Sequence, residues 1–474
     1  MEVEDTTTTT TAPQIISSGK EDESLDETSR TLHEPRQTTT NGDDYTGVVA
    51  EKTAPVIPAS GGFAASLNLD KRVAEIALRA YHRASENSAV LSRASLGEIA
   101  VVRFDELEIG KFLGKGSFSD VHEITKITAI TKITAADDRA DKGERRESFD
   151  SALSARTLIT RHHKRGTSDC RYAVKFLRED VRNAPDKYVM GTTDLVIEGM
   201  FLASIAHPHI IKVRGFPMGG VMSLCDEGRF NRNGYFLVLD RLYNTLSDQI
   251  YKVWTEDHVI TIEKKFGFIT PNNRKKERDK NLAERLKVAF DISAALKYLH
   301  SKNILYRDLK PENLGFDVRG DIKLFDLGLV KELQRGEMDK DGNYLLSMAG
   351  TPRYMAPEVG LYKPYNLSAD VYSISMLLWE ILTLDKPFSN FSYSMLKRQI
   401  FIEGDRPCMK KVFNKNMARL ISSGWHQNPA HRPTMDEVYE KLKSEYIKLS
   451  PTVTEGEVTH TRRRSTFVVV NRKK

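Results

Sequence analysis

The chain has 474 residues, 40% of them hydrophobic and 29% charged, which is the composition of a globular protein with more than one folding unit. Its three cysteines lie far apart and form no C-x-x-C pair, which argues against a disulfide framework and a cysteine-based zinc site. No run approaches the roughly 18 consecutive apolar residues of a membrane span, and the acidic, threonine-rich start is the reverse of a secretory leader, so we expect an intracellular protein.

The charge is unevenly distributed. Residues 1–50 hold eleven acidic and three basic residues, a net charge of −8. Since the whole chain has a net charge of +6, the rest of the chain carries +14. Residues 1–60 include six consecutive threonines, Thr6 to Thr11, and too few apolar groups to offset the entropy of ordering, which predicts a disordered N-terminal tail. The basic remainder favours acidic or phosphorylated partners, or is simply a solvated surface, and nothing indicates nucleic-acid binding.

A helical extension is predicted over 61–105. Between Leu69 and Ile99, apolar residues recur at helical spacing, namely Val73, Ile76, Ala77, Ala80 and Tyr81. We expect one or two helices here that brace the domain that follows.

A strand-rich lobe is predicted over about 106–240. Short β-branched and aromatic runs indicate a small antiparallel sheet with strands at Leu107–Leu113, Val121–Ile130, Tyr172–Leu177, Ile210–Val213 and Tyr235–Leu239. One helix, about Asp194–Ala206, interrupts them. The charged, Ser/Thr-rich stretch 135–169 exceeds what a hairpin needs and is predicted to be an inserted flexible loop.

A larger, mainly helical lobe is predicted over about 243–448, which makes the fold class α+β with two lobes. Apolar residues from Leu282 to Leu299 share one helical face, and Val371–Leu382 and Asn416–Ser423 read as buried helices. The insertion 252–281, which contains Arg274-Lys275-Lys276, is predicted to be a basic surface loop, with partner docking as the alternative. Residues 449–474 form a basic tail.

Chemistry is first indicated in the strand-rich lobe. Gly114 and Gly116 lie between two predicted strands, where glycines allow the backbone to approach phosphates, although such a pair is also common in hairpin turns. Lys175 lies on the predicted strand Tyr172–Leu177, among apolar neighbours, and could hold the α- and β-phosphates of a nucleotide. Glu198, on the only predicted helix of this lobe, could hold that ammonium in position.

Three further segments identify a family. Tyr306-Arg307-Asp308-Leu309-Lys310-Pro311-Glu312-Asn313, Asp326-Leu327-Gly328 and Ala356-Pro357-Glu358 resemble, in this order, the catalytic loop, metal-binding motif and peptide-loop anchor of eukaryotic protein kinases. The resemblance covers about 106–448. It implies a bilobal fold and ATP-dependent phosphorylation of proteins in intracellular signalling. The sequence around Asp370 and Arg432 is similar to that of the tyrosine-kinase-like branch of the Ser/Thr kinases.

The resemblance implies a role for each matching residue. Asp308 would accept or orient the substrate hydroxyl, Lys310 would neutralise the transferred phosphoryl group, and Asn313 and Asp326 would hold Mg²⁺ or Mn²⁺. Lys310, together with Thr351, resembles the pattern of serine/threonine kinases. Thr351 is expected to hydrogen-bond to both Asp308 and Lys310.

An adenine pocket follows from the same resemblance. Leu113 and Val121 would cover the ring, with Ala173 beside it. Leu239 would be the gatekeeper, the backbone from Asp240 to Leu242 the hinge, and Leu314 the floor. As supports, Asp370 is expected to bond the catalytic-loop backbone and Arg432 to pair with Glu358.

Three positions depart from the usual family pattern: Ser119 replaces a glycine, Tyr306 a histidine and Leu327 a phenylalanine. None removes a metal ligand, the lysine or the base, and we expect Tyr306 and Leu327 to stack as apolar members of a column between the lobes. Ser347 lies four residues before Thr351, where a phosphate could pair with Arg307 and order the loop.

Other functions stay open with less support. The same fold could serve as a catalytically silent pseudokinase scaffold, which the intact site residues argue against, or phosphorylate a small molecule or lipid. A P-loop NTPase is excluded because no G-x-x-x-x-G-K-[ST] run occurs. We expect a cytoplasmic protein, with the nucleus left open by the basic tail, and regulatory partners for both tails.

Overall fold

The computed structural model describes residues 63–86, 88–93, 99–128, 171–225, 234–256 and 271–450. The predictions for the tail 1–60, for the loop 135–169 and for the basic tail beyond residue 450 fall outside these residues. The proposed boundaries at 61, 106 and 448 stay predictions.

The first lobe contains a six-stranded sheet. Its strands are β1 (Ala100–Val102), β2 (Leu107–Lys115), β3 (Ser119–Ile127), β4 (Tyr172–Leu177), β5 (Val213–Pro217) and β6 (Phe236–Asp240), in the spatial order β1-β5-β6-β4-β3-β2. The predicted strand Tyr172–Leu177 is confirmed. The helical prediction is wrong for Ala100–Val102, a β-branched run that pairs with β5 in parallel, so the sheet is mixed rather than purely antiparallel.

The strand predicted at Ile210–Val213 is wrong except for its last residue. Ile210 and Ile211 are buried in the main hydrophobic core instead, and Ile210 forms an isolated bridge to Leu324. The backbone here bonds to Leu324 instead of to the first sheet, since Ile211 N donates to Leu324 O at 2.9 Å and Leu324 N donates to His209 O at 2.8 Å.

Ten α-helices lie within the described residues. They are α1 (Phe63–Glu86), α2 (Glu179–Arg182), α3 (Pro185–Ser204), α4 (Leu246–Asp248, continued by a π-helical stretch Gln249–Trp254), α5 (Pro271–His300), α6 (Pro357–Gly360), α7 (Ser368–Thr383), α8 (Tyr393–Met395, continued by a π-helical stretch Leu396–Ile402), α9 (Lys415–Gly424) and α10 (Met435–Leu449). Helices α7 and α9 confirm the two predicted helices, but only α7 is buried through most of its length, whereas α9 buries one face.

Two helices start earlier than predicted. Helix α3 begins at Pro185 rather than Asp194, and α5 begins at Pro271, so the loop prediction is wrong for residues 271–281. It is also wrong for residues 252–254, which are π-helical, while residues 257–270 fall outside the described ones. Both starts are at proline, which suits the first helical turn because its missing N–H has no partner there. The lysines, arginines and glutamates that follow Pro271 are good helix formers, which the charge-based loop prediction overlooked.

Short strands in the second lobe position its two key loops. They are β7 (Asn244–Thr245), β8 (Ile304–Leu305), β9 (Leu314–Phe316), β10 (Ile322–Leu324) and β11 (Lys331–Glu332), paired as β10-β9-β7 and β11-β8. Residues 306–313 connect β8 to β9, and residues 325–330 connect β10 to β11. Because β9 and β10 pair antiparallel, Asn313 and Asp326 lie near the same end of this hairpin. No helix in the described part of the chain is long and apolar enough to span a membrane.

Candidate active site

Four predicted nucleotide-site residues share one face of the first sheet. Val121 lies opposite Lys175 in the β3–β4 register, and Ala173 lies opposite Leu239 in the β4–β6 register. Residues directly opposite in an antiparallel pair, and residues two apart on one strand, point to the same side. Lys175 therefore projects from the same surface as the residues predicted to contact adenine.

Lys175 connects the two lobes. Its Nζ donates to Glu198 Oε2 on α3 at 2.7 Å and to Asp326 Oδ1 at 3.2 Å. Burial alone would lower the pKa of Lys175, but Asp326 and Glu198 outweigh it and raise that pKa, so the ammonium is a fixed positive charge. The same ion pair with Lys175 lowers the pKa of Asp326. The predicted contact between Lys175 and Glu198 is confirmed.

Asp308 is held by three neighbouring side chains. Thr351 Oγ1 donates to Asp308 Oδ1 at 2.7 Å, Asn313 Nδ2 donates to Asp308 Oδ2 at 2.8 Å, and Lys310 Nζ lies 2.9 Å from the same Oδ2. Lys310 also donates to Thr351 Oγ1 at 2.9 Å, so both predicted contacts of Thr351 are confirmed. These contacts leave Asp308 one well-defined orientation.

The backbone of the same loop is anchored from α7. Asp370, 1% exposed, accepts hydrogen bonds from Tyr306 N at 2.8 Å and Arg307 N at 2.9 Å, which confirms its predicted supporting contact. Tyr306 does more than fill an apolar column, because its hydroxyl donates to Phe325 O at 2.5 Å. This bond ties the loop to the residue directly before Asp326.

The site offers hard oxygen ligands suited to a divalent cation. Asn313 uses its Nδ2 toward Asp308, which leaves its side-chain Oδ1 available to a cation, and the Asp326 side chain remains 40% exposed. Among the described residues no three His, Cys, Asp or Glu side chains form a cluster that could hold a metal alone. The donor set therefore fits a divalent cation that completes its coordination with phosphate oxygens and water.

Arg178 holds the glycine-containing turn in place, and the sequence analysis missed it. Arg178 Nη1 donates to Gly116 O at 2.8 Å and to Ser117 O at 2.9 Å, while Gly116 N donates to Ser119 O at 2.7 Å. A Cβ at Gly114 would meet open space, so this side of the turn is accessible. The only sequence signal for Arg178 was its position just beyond the lysine strand.

The predicted hinge is organised by its side chains as well as its backbone. Asp240 accepts hydrogen bonds from Arg214 Nε at 2.8 Å and Nη2 at 2.9 Å, and its backbone N–H donates to Lys212 O at 3.1 Å. The position of Leu314 differs from the prediction. Leu314 is fully buried, whereas a Cβ at Gly315 would lie 2.8 Å from Leu242 Cδ1. Since neighbours on a strand face opposite sides, Gly315 and not Leu314 lies on the hinge side.

The segment between Asp326 and Glu358 packs on the second lobe. Tyr344 bridges to Tyr365, and the Tyr365 hydroxyl donates to Ser347 O at 2.8 Å. Arg307 Nε donates to Leu329 O at 2.5 Å. Burial raises the pKa of the Tyr365 hydroxyl, and the nearby charge of Arg307 offsets part of that rise. Ser347 is exposed, and its phosphorylation and pairing with Arg307 stay a prediction.

We expect Gly350→Ala to disrupt this segment. Gly350 has φ +107°, and a Cβ there would overlap the Arg307 carbonyl oxygen. The combined backbone and steric strain should cost about 2–4 kcal/mol, and kcat should fall at least about tenfold because Thr351 is the next residue. Peptide phosphorylation and limited proteolysis measure both effects. Gly336→Ala is the matched control, since its Cβ meets nothing within 4 Å. Equal behaviour of the two variants would contradict the steric argument.

A buried carboxyl group contacts the segment between Gly350 and Glu358. Glu380 on α7 is 0% exposed and accepts hydrogen bonds from the hydroxyls of Tyr251 and of Tyr354, the latter at 2.7 Å. Burial raises the pKa of Glu380 to about 7 even though both hydroxyls favour its charged form. Nearby, Arg432 donates to Glu358 at 2.6 and 2.8 Å, the predicted buried pair.

The raised pKa of Glu380 predicts a pH-dependent stability. Its usual value is 4.5, so its contribution is fully present below pH 4.5 and is lost as pH rises through about 7. The loss amounts to roughly 3 kcal/mol at most. Glu380→Gln should flatten the fall of unfolding free energy between pH 5 and pH 8, measured by urea titration. Exposed Glu86→Gln is the control, and an unchanged pH dependence in Glu380→Gln would contradict the assignment.

Comparisons with known proteins fit this geometry. The family profile described as protein kinase domain matches residues 159–444. The serine/threonine-protein kinase STY17 of Arabidopsis thaliana is 36% identical over 157 residues, which are 33% of this chain and 26% of that protein. The dual specificity protein kinase shkB of Dictyostelium discoideum is 36% identical over 162 residues, 34% of this chain and 24% of its own.

A longer match reaches further along the chain. The serine/threonine-protein kinase Nek4 of Mus musculus is 28% identical over 296 residues, 61% of this chain and 30% of that protein. The chain thus spans about a quarter to a third of the length of these relatives. The profile match begins at residue 159 and so does not include the glycine-containing turn. That turn nevertheless belongs to the same sheet as the matched strand β4, because β3, which follows the turn, pairs with β4.

Proposed function

Because this chain belongs to the protein kinase family, we propose that it transfers the γ-phosphate of ATP to serine or threonine hydroxyls of proteins. The observation that carries the proposal is the Asp308 carboxylate, fixed by Thr351, Lys310 and Asn313. Asp308 belongs to the same loop as Tyr306, whose hydroxyl bonds to the Phe325 carbonyl oxygen. Phe325 directly precedes Asp326, which pairs with Lys175.

Each residue has a distinct task in this reaction. The substrate hydroxyl is positioned at Asp308, which takes its proton as the oxygen attacks the γ-phosphorus. The bond from that phosphorus to the β–γ bridging oxygen breaks, and ADP leaves. Lys310 lies beside that carboxylate and balances charge on the transferred phosphoryl group. Lys175, oriented by Glu198, holds the α- and β-phosphates. Magnesium bound by Asn313 and Asp326 would supply charge neutralisation at the phosphates, and the hard oxygen donors support Mg²⁺, with Mn²⁺ as the alternative.

The proposal that serine and threonine are the acceptors depends on the contacts of Thr351. The bond from Lys310 to Thr351 supports serine and threonine as acceptors, in line with the resemblance to that class. Two of the relatives named above are serine/threonine kinases by name, and one is a dual specificity kinase. A role in signalling, regulatory partners for the two tails, and a cytoplasmic or nuclear location stay predictions from the sequence.

A degenerate peptide array tests the proposal. Purified full-length chain, labelled ATP and either Mg²⁺ or Mn²⁺ are incubated with peptides whose single acceptor is serine, threonine or tyrosine. We expect label on serine and threonine peptides, with Mg²⁺ the better metal. Label on tyrosine alone would overturn the acceptor assignment. Nucleotide binding without transfer would favour a silent scaffold.

A further inference from the structure

We propose that residues 63–91, here termed the N-terminal brace, position both halves of the active site at once. The brace consists of α1 and the turn Ser88–Leu91, and it precedes the residues 159–444 matched to the kinase family. Its effect on catalysis rests on the proposed function. Its structural effect can be measured without any activity.

One end of the brace packs on the helix that carries Glu198. Val73, Ala74 and Ala77 of α1 are fully buried. The Tyr188 hydroxyl on α3 donates to Asp70 Oδ1 at 2.9 Å, and Tyr188 itself is buried. Tyr188 precedes Glu198 by ten residues, about 15 Å along the same helix. A shift of α1 therefore moves the helix that holds the partner of Lys175.

The other end binds the strand that follows Asp326. Ser88 Oγ donates to Glu332 Oε2, and Ala89 N donates to Glu332 Oε1 at 2.9 Å. Ser88 Oγ also accepts a hydrogen bond from Leu91 N at 2.7 Å, so one hydroxyl organises the whole turn. Ser88 and Glu332 are both buried, where an unpaired carboxylate would be unfavourable.

Strand β11 passes this constraint to the catalytic loop. Glu332 lies opposite Ile304 in the β11–β8 register, and β8 leads directly into Tyr306. Glu332 is also six residues beyond Asp326. The brace thus joins α3, which carries Glu198, to the strand pair that borders Asp308 and Asp326. Phosphate positioning by Lys175 depends on Glu198 and Asp326 together, so loss of either contact should weaken it.

Two small substitutions test the brace kinetically. Ser88→Ala removes the hydroxyl at one end, and Tyr188→Phe removes a single oxygen at the other. We expect each to raise the KM for ATP roughly tenfold, with the KM for the peptide unchanged. A loss of folded protein would lower kcat alone and leave the KM for ATP unchanged. Ser92→Ala, an exposed serine in the same segment, is the matched control and should behave like wild type.

Hydrogen exchange supplies a second readout that needs no activity. If the brace couples its two ends, Ser88→Ala should speed amide exchange in α3, and Tyr188→Phe should speed exchange at Lys331–Glu332, because coupling is reciprocal. Faster exchange confined to the mutated end would overturn the proposal, as would an unchanged KM for ATP in an active enzyme. If the wild type is inactive but the exchange changes in the two variants are reciprocal, the proposal for the brace is supported and the kinase function is refuted. If Ser88→Ala does not fold, Tyr188→Phe carries both tests.

Discussion

Asp308→Asn is expected to lower kcat about a thousandfold or more, while the KM for ATP stays within about twofold. The carboxamide has nearly the same size and can still meet the neighbours of Asp308. Its oxygen can accept from Asn313 and Lys310, and its NH₂ group can donate to Thr351 Oγ1. It cannot take up the proton of the substrate hydroxyl. The change therefore removes chemistry and leaves the local geometry in place.

Steady-state kinetics with varied ATP, together with circular dichroism, separate these effects. Asp186→Asn makes the same chemical change at an exposed position on α3 and should match wild type. A fall in kcat of less than about tenfold in folded Asp308→Asn would show that another group is the base.

Lys175→Met is the second large effect, and it acts on both activity and stability. The variant should lose roughly a hundredfold or more in kcat/KM, because the phosphates lose their fixed cation. It also leaves Glu198, whose side chain is only 4% exposed, without its partner. Removing one member of such a buried pair costs about 3 kcal/mol or more in unfolding free energy. Urea unfolding measures this loss.

A double variant separates the two consequences of losing Lys175. In Lys175→Met combined with Glu198→Leu, both members of the pair become apolar, so much of the stability should return while activity stays absent. Lys126→Met, on the exposed side of β3, is the matched control for the lysine substitution. A double variant as unstable as Lys175→Met alone would contradict the ion-pair explanation.

Sequence reasoning could predict the parts of the site that depend on short motifs. The contacts among Asp308, Lys310 and Thr351 follow from the resemblance to the kinase family, and the pairing of Lys175 with Glu198 follows from the need to hold that ammonium in position. Strand β4 was predicted to the residue because Tyr172–Leu177 is a short apolar and aromatic run that only Lys175 interrupts. Motifs of this kind carry chemical constraints that hold in any chain that folds around them.

Other features could not be predicted because they depend on strand phase or on distant packing. The motif ending at Asn313 does not reveal which of Leu314 and Gly315 faces the hinge, since a shift of one residue exchanges the two faces. The contact of Ser88 with Glu332 joins residues 244 positions apart and leaves no periodic signal. Arg178 bonds to carbonyl oxygens of a turn, whose positions exist only once the turn has formed.

The most direct test of the central claim is the transfer of label from γ-³²P-ATP to a serine or threonine peptide by purified wild type and Asp308→Asn in parallel. Phosphoamino acid analysis identifies the product, and nucleotide binding is measured on the same samples. Phosphotransfer through Asp308 predicts phosphoserine or phosphothreonine from wild type, background from Asp308→Asn, and nucleotide binding by both. Background incorporation by both proteins, with nucleotide bound, would contradict it.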